Sequence, residues 1–438
     1  MDNGLEKRYG LLTAIAMVVG IVIGSGVFFK AEKVLTATGG NLSLGILAWL
    51  LGGLVMILCA YNFALMATKH EKVSGVVDYA EVLVGGRYAY FFAWFAAVIY
   101  FPAMTSVVAW VAARYFGVLM GWEIVGPQVM TLSGLFLVGS YVINALAPKL
   151  AGRLQVTTTA AKLIPLFLMA IFGTIFGLKN GILVENFTTT AVHTFTSKNP
   201  LFTAVVGTCF AYEGWICATS INAELKDAKK NLPLALIFGS AFVVLVYILY
   251  YIGLGARIAF ETVFMQLGGT LLFIFVVISC LGTLNGLMMA CTRAFYAMGV
   301  RDEGPRPQVF KVVDTVTKMP TNSALIGLMM AMLWLTYFYG ANLAPKPWFG
   351  PFCFDSSELP IVTIYAMYIP IFVMQMKKEK ELGFFYRVVV PALGVIASAF
   401  MVLAAIVSLR KAVLYYLILF AVLMGIGLLL KNYGHEEE

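Results

Sequence analysis

Long apolar runs, separated by short polar segments, recur along the whole chain. A run of about 20 apolar residues crosses the hydrocarbon core of a bilayer as an α-helix, because a helix satisfies its backbone hydrogen bonds within the segment. We therefore expect an all-α membrane protein whose even number of crossings leaves both termini on one side. The sequence predicts twelve helices, at about 10–38, 42–68, 88–118, 127–147, 155–178, 201–224, 232–258, 267–299, 322–341, 359–376, 386–409 and 413–430.

The composition favours a single transmembrane transporter domain over residues 1–438. Of the chain, 61% is hydrophobic and only 12% is charged, whereas soluble domains carry about 25% charged residues. The sequence contains no GxxxxGK[ST] phosphate-binding loop and no polar segment long enough for a nucleotide-binding domain. Secondary transport is therefore expected. An enzyme is not, because no nucleophile, base and orienting group occur together at a recognisable spacing.

The net charge of +8 is distributed among the loops. Lys and Arg concentrate on the side of the N-terminus, for example at Lys7, Arg8, Lys69 and Arg153, whereas the opposite side has fewer, among them Lys30. The positive-inside rule then places both termini in the cytoplasm. Because membrane topology explains the basic clusters, no nucleic-acid partner is expected.

The cysteines and histidines show no ligand pattern. Of six cysteines, only Cys353 lies in a predicted loop, and the others fall within apolar segments without metal-ligand spacing. The three histidines His70, His193 and His435 are far apart in the sequence. We expect no disulfide framework, no bound metal and no cofactor.

The first predicted helix contains the run Gly24-Ser25-Gly26, which favours an unwound backbone. Unpaired amides are costly in hydrocarbon, so such a break persists only where it lines a cavity or meets a ligand. A half-helix that starts after the break would direct its positive N-terminal end at an anion, such as a substrate carboxylate. Close helix packing through small residues is the alternative explanation.

The sixth predicted helix carries Glu213 and Gly214 midway along its length. An ionisable residue within the membrane indicates a functional site by default, although structural pairing with a neighbouring helix is an alternative. Interruptions in helices one and six are typical of an inverted repeat of five helices, with the binding site between them at the midplane. We expect the repeats at about 10–178 and 201–376, followed by two additional helices at about 386–430.

Lys162 is a lone cation in the fifth predicted helix. Its ammonium group either faces the break in the first helix and fixes it, or extends to the cytoplasmic interface on its long side chain. A channel or a nutrient sensor on the same frame is less well supported. The helices lack the rings of polar residues that channels use, and neither terminus carries a sizeable extension.

The order and spacing of several motifs resemble the amino acid, polyamine and organocation superfamily, specifically its L-amino acid transporter branch and the bacterial exchangers of the alanine-serine-cysteine type. The resemblance extends over nearly all helices. It rests on Ile23-Gly24-Ser25-Gly26-Val27-Phe28, on Ala160-Ala161-Lys162-Leu163, on Phe210-Ala211-Tyr212-Glu213-Gly214-Trp215 with Glu224 and Asn231-Leu232-Pro233 after it, and on Leu281-Gly282-Thr283-Leu284-Asn285-Gly286 with Arg293.

The resemblance implies a substrate site between the two interrupted helices. Amides of Ser25 and Gly26 would bind the substrate carboxylate, and Phe210 would close over the substrate as the outer gate. A lysine at the position of Lys162 stands where sodium-coupled relatives hold sodium, which implies sodium-independent transport and a role in conformational coupling. Carbonyls near Val22, Phe210 and Glu213 would accept from the ammonium group, so that the expected substrate-binding residues are Val22, Gly24, Ser25, Gly26, Phe210, Ala211 and Glu213.

The resemblance also bears on source, partner and substrate. Bacterial members often carry an acidic residue at the position of Glu213, which suggests a bacterial inner membrane protein. The segment 117–126 lacks the cysteine that bonds animal light chains to a heavy chain, so no covalent partner is expected. We expect exchange of small neutral L-amino acids by alternating access. The alternatives are proton symport through Glu213 or Lys162, and transport of cationic amino acids or polyamines with Glu213 as the counter-charge.

Overall fold

The computed structural model describes residues 5–24, 26–70, 75–188, 199–254, 260–409 and 411–433, which are almost entirely helical. Within these residues the one extended pairing is an isolated bridge between Tyr9 and Leu225. The α-helices are α1 (Leu11–Val22), α2 (Gly26–Ala37), α3 (Leu42–Lys69), α4 (Val76–Leu83), α5 (Gly86–Phe95), α6 (Phe101–Met120), α7 (Pro127–Leu146), α8 (Pro148–Lys179), α9 (Ile182–Thr188), α10 (Pro200–Ala211), α11 (Ala228–Leu254), α12 (Phe260–Cys291), α13 (Ala294–Gly299), α14 (Pro307–Phe310), α15 (Thr321–Phe338), α16 (Leu359–Lys378), α17 (Val390–Leu409) and α18 (Lys411–Leu429). Turns of other pitch join some of them, with π-helical segments at Ala96–Tyr100, Tyr339–Leu343 and Phe385–Val389 and 3₁₀ segments at Trp215–Glu224 and Gly350–Phe352.

The prediction of an all-α membrane protein with about twelve spans is confirmed. Among the described residues, eleven helical stretches are long and apolar enough to cross a membrane. The remaining predicted helix, 201–224, is divided into α10 and the 3₁₀ segment Trp215–Glu224. The 12 residues of α10 extend only about 18 Å, less than the hydrocarbon core of about 30 Å. The sixth span is therefore discontinuous, as predicted.

Some boundaries differ from the predicted ones. α8 begins at Pro148, seven residues before the predicted start, because Pro is well tolerated in the first turn of a helix. The predicted eighth helix, 267–299, begins earlier and is divided into α12 and α13. The short helices α4, α9 and α14 were not predicted, since none of them has the length of an apolar span.

The two interrupted helices lie at the centre of the bundle. α1 contacts α8, α11, α12 and the 3₁₀ segment that follows α10, while α2 packs against α10. α17 packs on α3 and α16, and α18 contacts α5 and α17. The last helix exposes apolar side chains such as Leu414 and Leu429, which suits a surface in contact with lipid.

Polar groups of the spanning helices are buried in the interior of the bundle. Lys162 and Glu224 are fully buried and Glu213 nearly so, whereas Ile171 and Ile175 on the outer face of α8 are exposed. Ionisable residues in membrane proteins face the bundle interior in this way, because a charge in contact with lipid is costly.

Close backbone contact joins α8 to α11. A Cβ atom added to Gly173 would lie 2.5 Å from the carbonyl oxygen of Gly253, so this position has no room for a side chain. Small residues at membrane helix interfaces permit such an approach. The contact fixes α8, which carries Lys162, against the helix beside α1.

Candidate functional site

The first span is interrupted at the predicted glycine-rich run. α1 ends at Val22, Ile23 and Gly24 are not helical, and α2 begins at Gly26. Ser25 lies outside the described residues. The Gly24 amide donates to the carbonyl of Val22 over 2.9 Å, which tightens the end of α1. The predicted discontinuity of the first helix is confirmed.

Side chains from three other helices bind carbonyls at the C-terminal end of α1 and in the break. The last carbonyls of any helix lack amide donors four residues ahead, so they need other donors when they are buried. Here these donors belong to α8, α11 and α12. Lys162 donates to Gly20 (2.5 Å), Thr283 to Gly20 (3.1 Å) and Ile21 (3.3 Å), Tyr247 to Val22 (2.7 Å) and Ser279 to Ile23 (3.5 Å).

Lys162 extends into the bundle towards the break in the first span. Its side chain is fully buried. Its Nζ also lies 3.2 Å from Oγ1 of Thr283, so the ammonium group bridges α1 and α12. The position of the ammonium group supports the first of the two interpretations of this residue, and its part in conformational coupling stays a prediction.

The break in the sixth span faces the break in the first. α10 ends at Ala211, and Gly214 has φ 101°, a conformation that favours glycine. A Cβ atom on Gly214 would lie 2.5 Å from Cγ2 of Ile21. A Cβ atom on Gly26 would lie 2.7 Å from Cα of Ala211. Glycines at both positions thus allow the two interrupted backbones to touch.

Tyr247 of α11 connects the two interruptions directly. Its fully buried hydroxyl lies 2.7 Å from the carbonyl oxygen of Val22 and 3.0 Å from that of Ala211. The carbonyl of Val22 was predicted to accept from a substrate ammonium group. In the structure this carbonyl accepts a hydrogen bond from Tyr247, so it already acts as an acceptor between the two breaks.

Glu213 lies in the non-helical segment of the sixth span. One carboxylate oxygen accepts from the hydroxyl of Tyr100, in the π-helical segment before α6. The other oxygen, Oε2, is buried without a hydrogen bond of regular geometry among the described residues, and the Gly214 amide and the Tyr365 side chain are the donors near the carboxylate. A buried carboxylate of this kind is costly unless a donor or a cation approaches it.

Most of the predicted substrate-binding residues line one small cavity between the breaks. The cavity is narrow, with an atom-free volume of about 290 Å³ that includes space open to solvent. Ala211 is behind this cavity, against Gly26 and Tyr247. The lining includes the predicted Val22, Gly24, Gly26, Phe210 and Glu213, together with Met104, Val108 and Thr283, which were not predicted as binding residues.

An ion-pair cluster lies beside Phe210, the predicted gate. Lys30 of α2 is 3% exposed and its Nζ lies 5.2 Å from the centroid of the Phe210 ring. The same ammonium group is 2.9 Å from Oε1 of Glu358, and Lys33 is 2.5 Å from that oxygen. Burial raises the pKa of the Glu358 carboxyl, but the two ammonium groups lower it by more, so the pKa is below its usual value. This ion pair joins α2 to the start of α16.

A second buried charge cluster, formed by Glu224, Arg293 and Arg8, lies at the end of the sixth span. Glu224 binds Nε of Arg293 over 2.5 Å and lies 3.5 Å from Nε of Arg8. The backbone amides of Arg8 and Tyr9 donate to the Glu224 carbonyl. The segment before α1 is thereby attached to the end of the sixth span. The cavity thus lies between two charge clusters, one towards each face of the bundle.

Comparison with known proteins identifies the family of this chain. Residues 9–429 match the family described as Amino acid permease. The chain belongs to the amino acid permease family. This confirms the resemblance inferred from the motifs and makes the chain a membrane transporter of amino acids.

Individual relatives and one solved structure agree with the family. The permease is 28% identical to the serine/threonine exchanger SteT of Bacillus subtilis, over 91% of this chain and 90% of SteT. It is 25% identical to the b(0,+)-type amino acid transporter 1 of Mus musculus, over 95% and 86% of the two chains. The crystal structure of MhsT in complex with L-phenylalanine has a TM-score of 0.61 at 15% identity and covers 93% of this chain and 99% of that chain. This structural likeness shows that the permease shares that transporter fold.

Proposed function

We propose that the permease exchanges small neutral L-amino acids across a bacterial membrane by alternating access, without sodium. The observation that carries the proposal is the direct contact of two interrupted helices at Gly26 and Ala211, beside a small buried cavity. Such paired breaks are where secondary transporters bind substrates near the midplane.

The polarity of the two half-helices fits a zwitterionic substrate. The N-terminal end of α2 at Gly26 offers a positive dipole end for a carboxylate, and the sequence adds Ser25 before it. The C-terminal ends of α1 and α10 offer carbonyls near Val22 and Phe210 for an ammonium group. An L-amino acid carries both groups on one carbon atom, so it can satisfy both ends at once. Gly24 and Ala211 leave the space for this approach, and Phe210 is the proposed gate.

Lys162 supports sodium-independent transport. Its Nζ donates over 2.5 Å to the Gly20 carbonyl, an oxygen of the type that coordinates sodium at unwound helices. A sodium ion next to this ammonium group would be repelled by a like charge in a medium of low dielectric constant. SteT is named an exchanger, which supports exchange as the mode.

The test uses purified permease in liposomes that are either empty or loaded with an unlabelled amino acid. A panel of labelled amino acids is offered outside, with and without sodium and pH gradients. We expect uptake of small neutral amino acids such as serine, threonine or alanine, dependent on an internal amino acid and indifferent to sodium. Equal uptake into empty liposomes would overturn exchange, and strong stimulation by a sodium gradient would overturn sodium independence.

A second candidate function is favoured by the buried carboxylate of Glu213 beside the cavity. A proton or a cationic side chain of the substrate would neutralise this carboxylate, as in proton symport or in the transport of cationic amino acids and polyamines. Glu213→Gln keeps the shape and the hydrogen bond with Tyr100 while it removes the charge. If the substrate is neutral, the variant retains part of its exchange activity. Loss of lysine or putrescine transport, measured in the same liposomes, would instead establish the cationic substrate class.

The remaining architectural proposals concern orientation and organisation. We propose that residues 10–178 and 201–376 form inverted repeats in one domain, followed by the helices at 386–430. Both termini are proposed to be cytoplasmic, which labelling of engineered cysteines from each side of sealed vesicles tests directly. The permease is proposed to act in the lipid bilayer without a covalently bound partner chain.

A further inference from the structure

A long apolar groove on the outside of the bundle runs between α1, α8 and α11. Its atom-free volume is about 1160 Å³, and its walls consist almost entirely of hydrocarbon. Several wall residues are exposed, including Leu12, Phe238 and Leu245. The groove is lined on α1 from Leu12 to Val19, so its contents touch the half-helix that leads to the break.

The groove opens at one end into a basic mouth. The two spaces share Leu12 and Val156, and the mouth is lined by Lys149, Arg153 and Thr157 of α8. These three residues recur every four positions and therefore lie on one face of the helix. Among the described residues, neither the Lys149 nor the Arg153 side chain has a hydrogen bond or an ion pair, and both are exposed. Two unpaired cations thus flank the end of an apolar groove.

The length of the groove matches one leaflet of a bilayer. From Arg153 at the mouth to Leu163 in the groove there are ten helical steps, which span about 15 Å. Half of the hydrocarbon thickness of a bilayer is also about 15 Å. A lipid whose headgroup lies beside Arg153 would therefore have its acyl chain beside Leu163.

We propose that this groove and its mouth form a binding site for an anionic phospholipid. The acyl chain lies between α1, α8 and α11, and the headgroup phosphate pairs with Lys149 and Arg153. The charge of the mouth selects an anionic over a zwitterionic headgroup, since basic residues near a membrane surface attract anionic lipids. The bound chain packs against Leu12 and Ile15 of α1, so the lipid stabilises the position of the half-helix whose end forms the substrate site.

The test measures lipid retention directly and does not depend on transport. The permease is placed in nanodiscs with equal amounts of phosphatidylglycerol and phosphatidylcholine, released, and analysed by native mass spectrometry. We expect retained phosphatidylglycerol, and about a tenfold or greater loss of its preference in the double variant Lys149→Gln, Arg153→Gln. The matched control is Lys377→Gln, Lys380→Gln, which removes two exposed cations from the end of α16 and its loop.

A second variant tests the apolar part of the site. Ala241→Phe places a ring in the groove from an exposed position on α11, without entering the core. It is expected to reduce retention of both lipids and to abolish the rise in melting temperature that phosphatidylglycerol produces in the unmodified protein. Equal retention of the two lipids by the unmodified protein, or an equal loss in the control variant, would overturn the proposal. So would unchanged phosphatidylglycerol retention in both groove variants.

Discussion

Replacement of Lys162 tests how the break in the first span is controlled. Lys162 donates to the carbonyl of Gly20 over 2.5 Å, and the nearest other donor is Thr283 at 3.1 Å. The Thr283 hydroxyl also lies 3.3 Å from the carbonyl of Ile21, so its single proton is shared. In Lys162→Ala, the described residues offer only this hydroxyl to the two carbonyls, so one of them lacks a donor whenever the other is bonded.

The expected magnitude follows from this unsatisfied group. A buried carbonyl without a donor costs about 1–3 kcal/mol, which corresponds to about a 5- to 150-fold shift in a two-state equilibrium. The shift disfavours the conformation in which α1 lies against α8. The free energy of unfolding should change less, because the variant also removes the cost of burying a charge.

The assay compares substrate affinity from the two faces of the membrane, and the exchange rate, in oriented liposomes. Lys162→Met keeps an unbranched side chain that is one atom shorter and has no donor, and it should behave as Lys162→Ala does. Lys179→Ala, at the exposed end of the same helix, should behave as the unmodified protein. If both Lys162 variants exchange amino acids at the normal rate with unchanged affinities on both faces, the proposed role of this residue is wrong.

Three further substitutions test the site and the ion-pair cluster beside Phe210. Gly26→Val should abolish substrate binding while insertion persists, because even its Cβ would lie 2.7 Å from Cα of Ala211; unchanged affinity in a binding assay would place the site elsewhere. Tyr247→Phe removes the donor to the carbonyls of both spans and should slow exchange about tenfold, whereas a normal rate would show that this hydroxyl is dispensable. Glu358 has a lowered pKa in the folded protein. The stability that its ionised carboxylate contributes is therefore complete above the pKa of the unfolded chain, about 4.3, and is lost only as the pH falls below that value towards the folded pKa. Glu358→Gln should therefore lower the melting temperature equally at pH 5 and pH 8, and a difference between the two would contradict this assignment.

The interruptions of the two helices could be predicted from the sequence because their causes are local. Gly24 and Gly26 weaken one helix, and Gly214 adopts a positive φ that other residues rarely adopt. Glu213 and Lys162 were predicted because ionisable residues are rare in apolar spans. A single sequence shows such local conflicts directly.

The donors at the break could not be predicted in the same way. Tyr247 lies among other tyrosines of an apolar helix, and nothing in that segment distinguishes its hydroxyl. Thr283 belongs to the motif Leu281-Gly282-Thr283-Leu284-Asn285-Gly286, but its contact with Gly20 depends on the packing of α12 against α1. The pair Lys30–Glu358 joins residues 328 positions apart. The sequence placed Lys30 on the outer side without indicating a partner for it.

The hydroxyl of Tyr247 carries one hydrogen atom and lies within reach of two carbonyl oxygens, those of Val22 and Ala211. It can donate to only one of the two interrupted helices at a time, so their carbonyls compete for a single proton, although that of Val22 also accepts from the Gly24 amide. An amino acid substrate has three N–H bonds on its ammonium group. On arrival at this point it would end the competition, because Tyr247 could stay with one helix while the substrate bonds to the other. The gain in affinity would then come from two hydrogen bonds, of which only one involves the ligand.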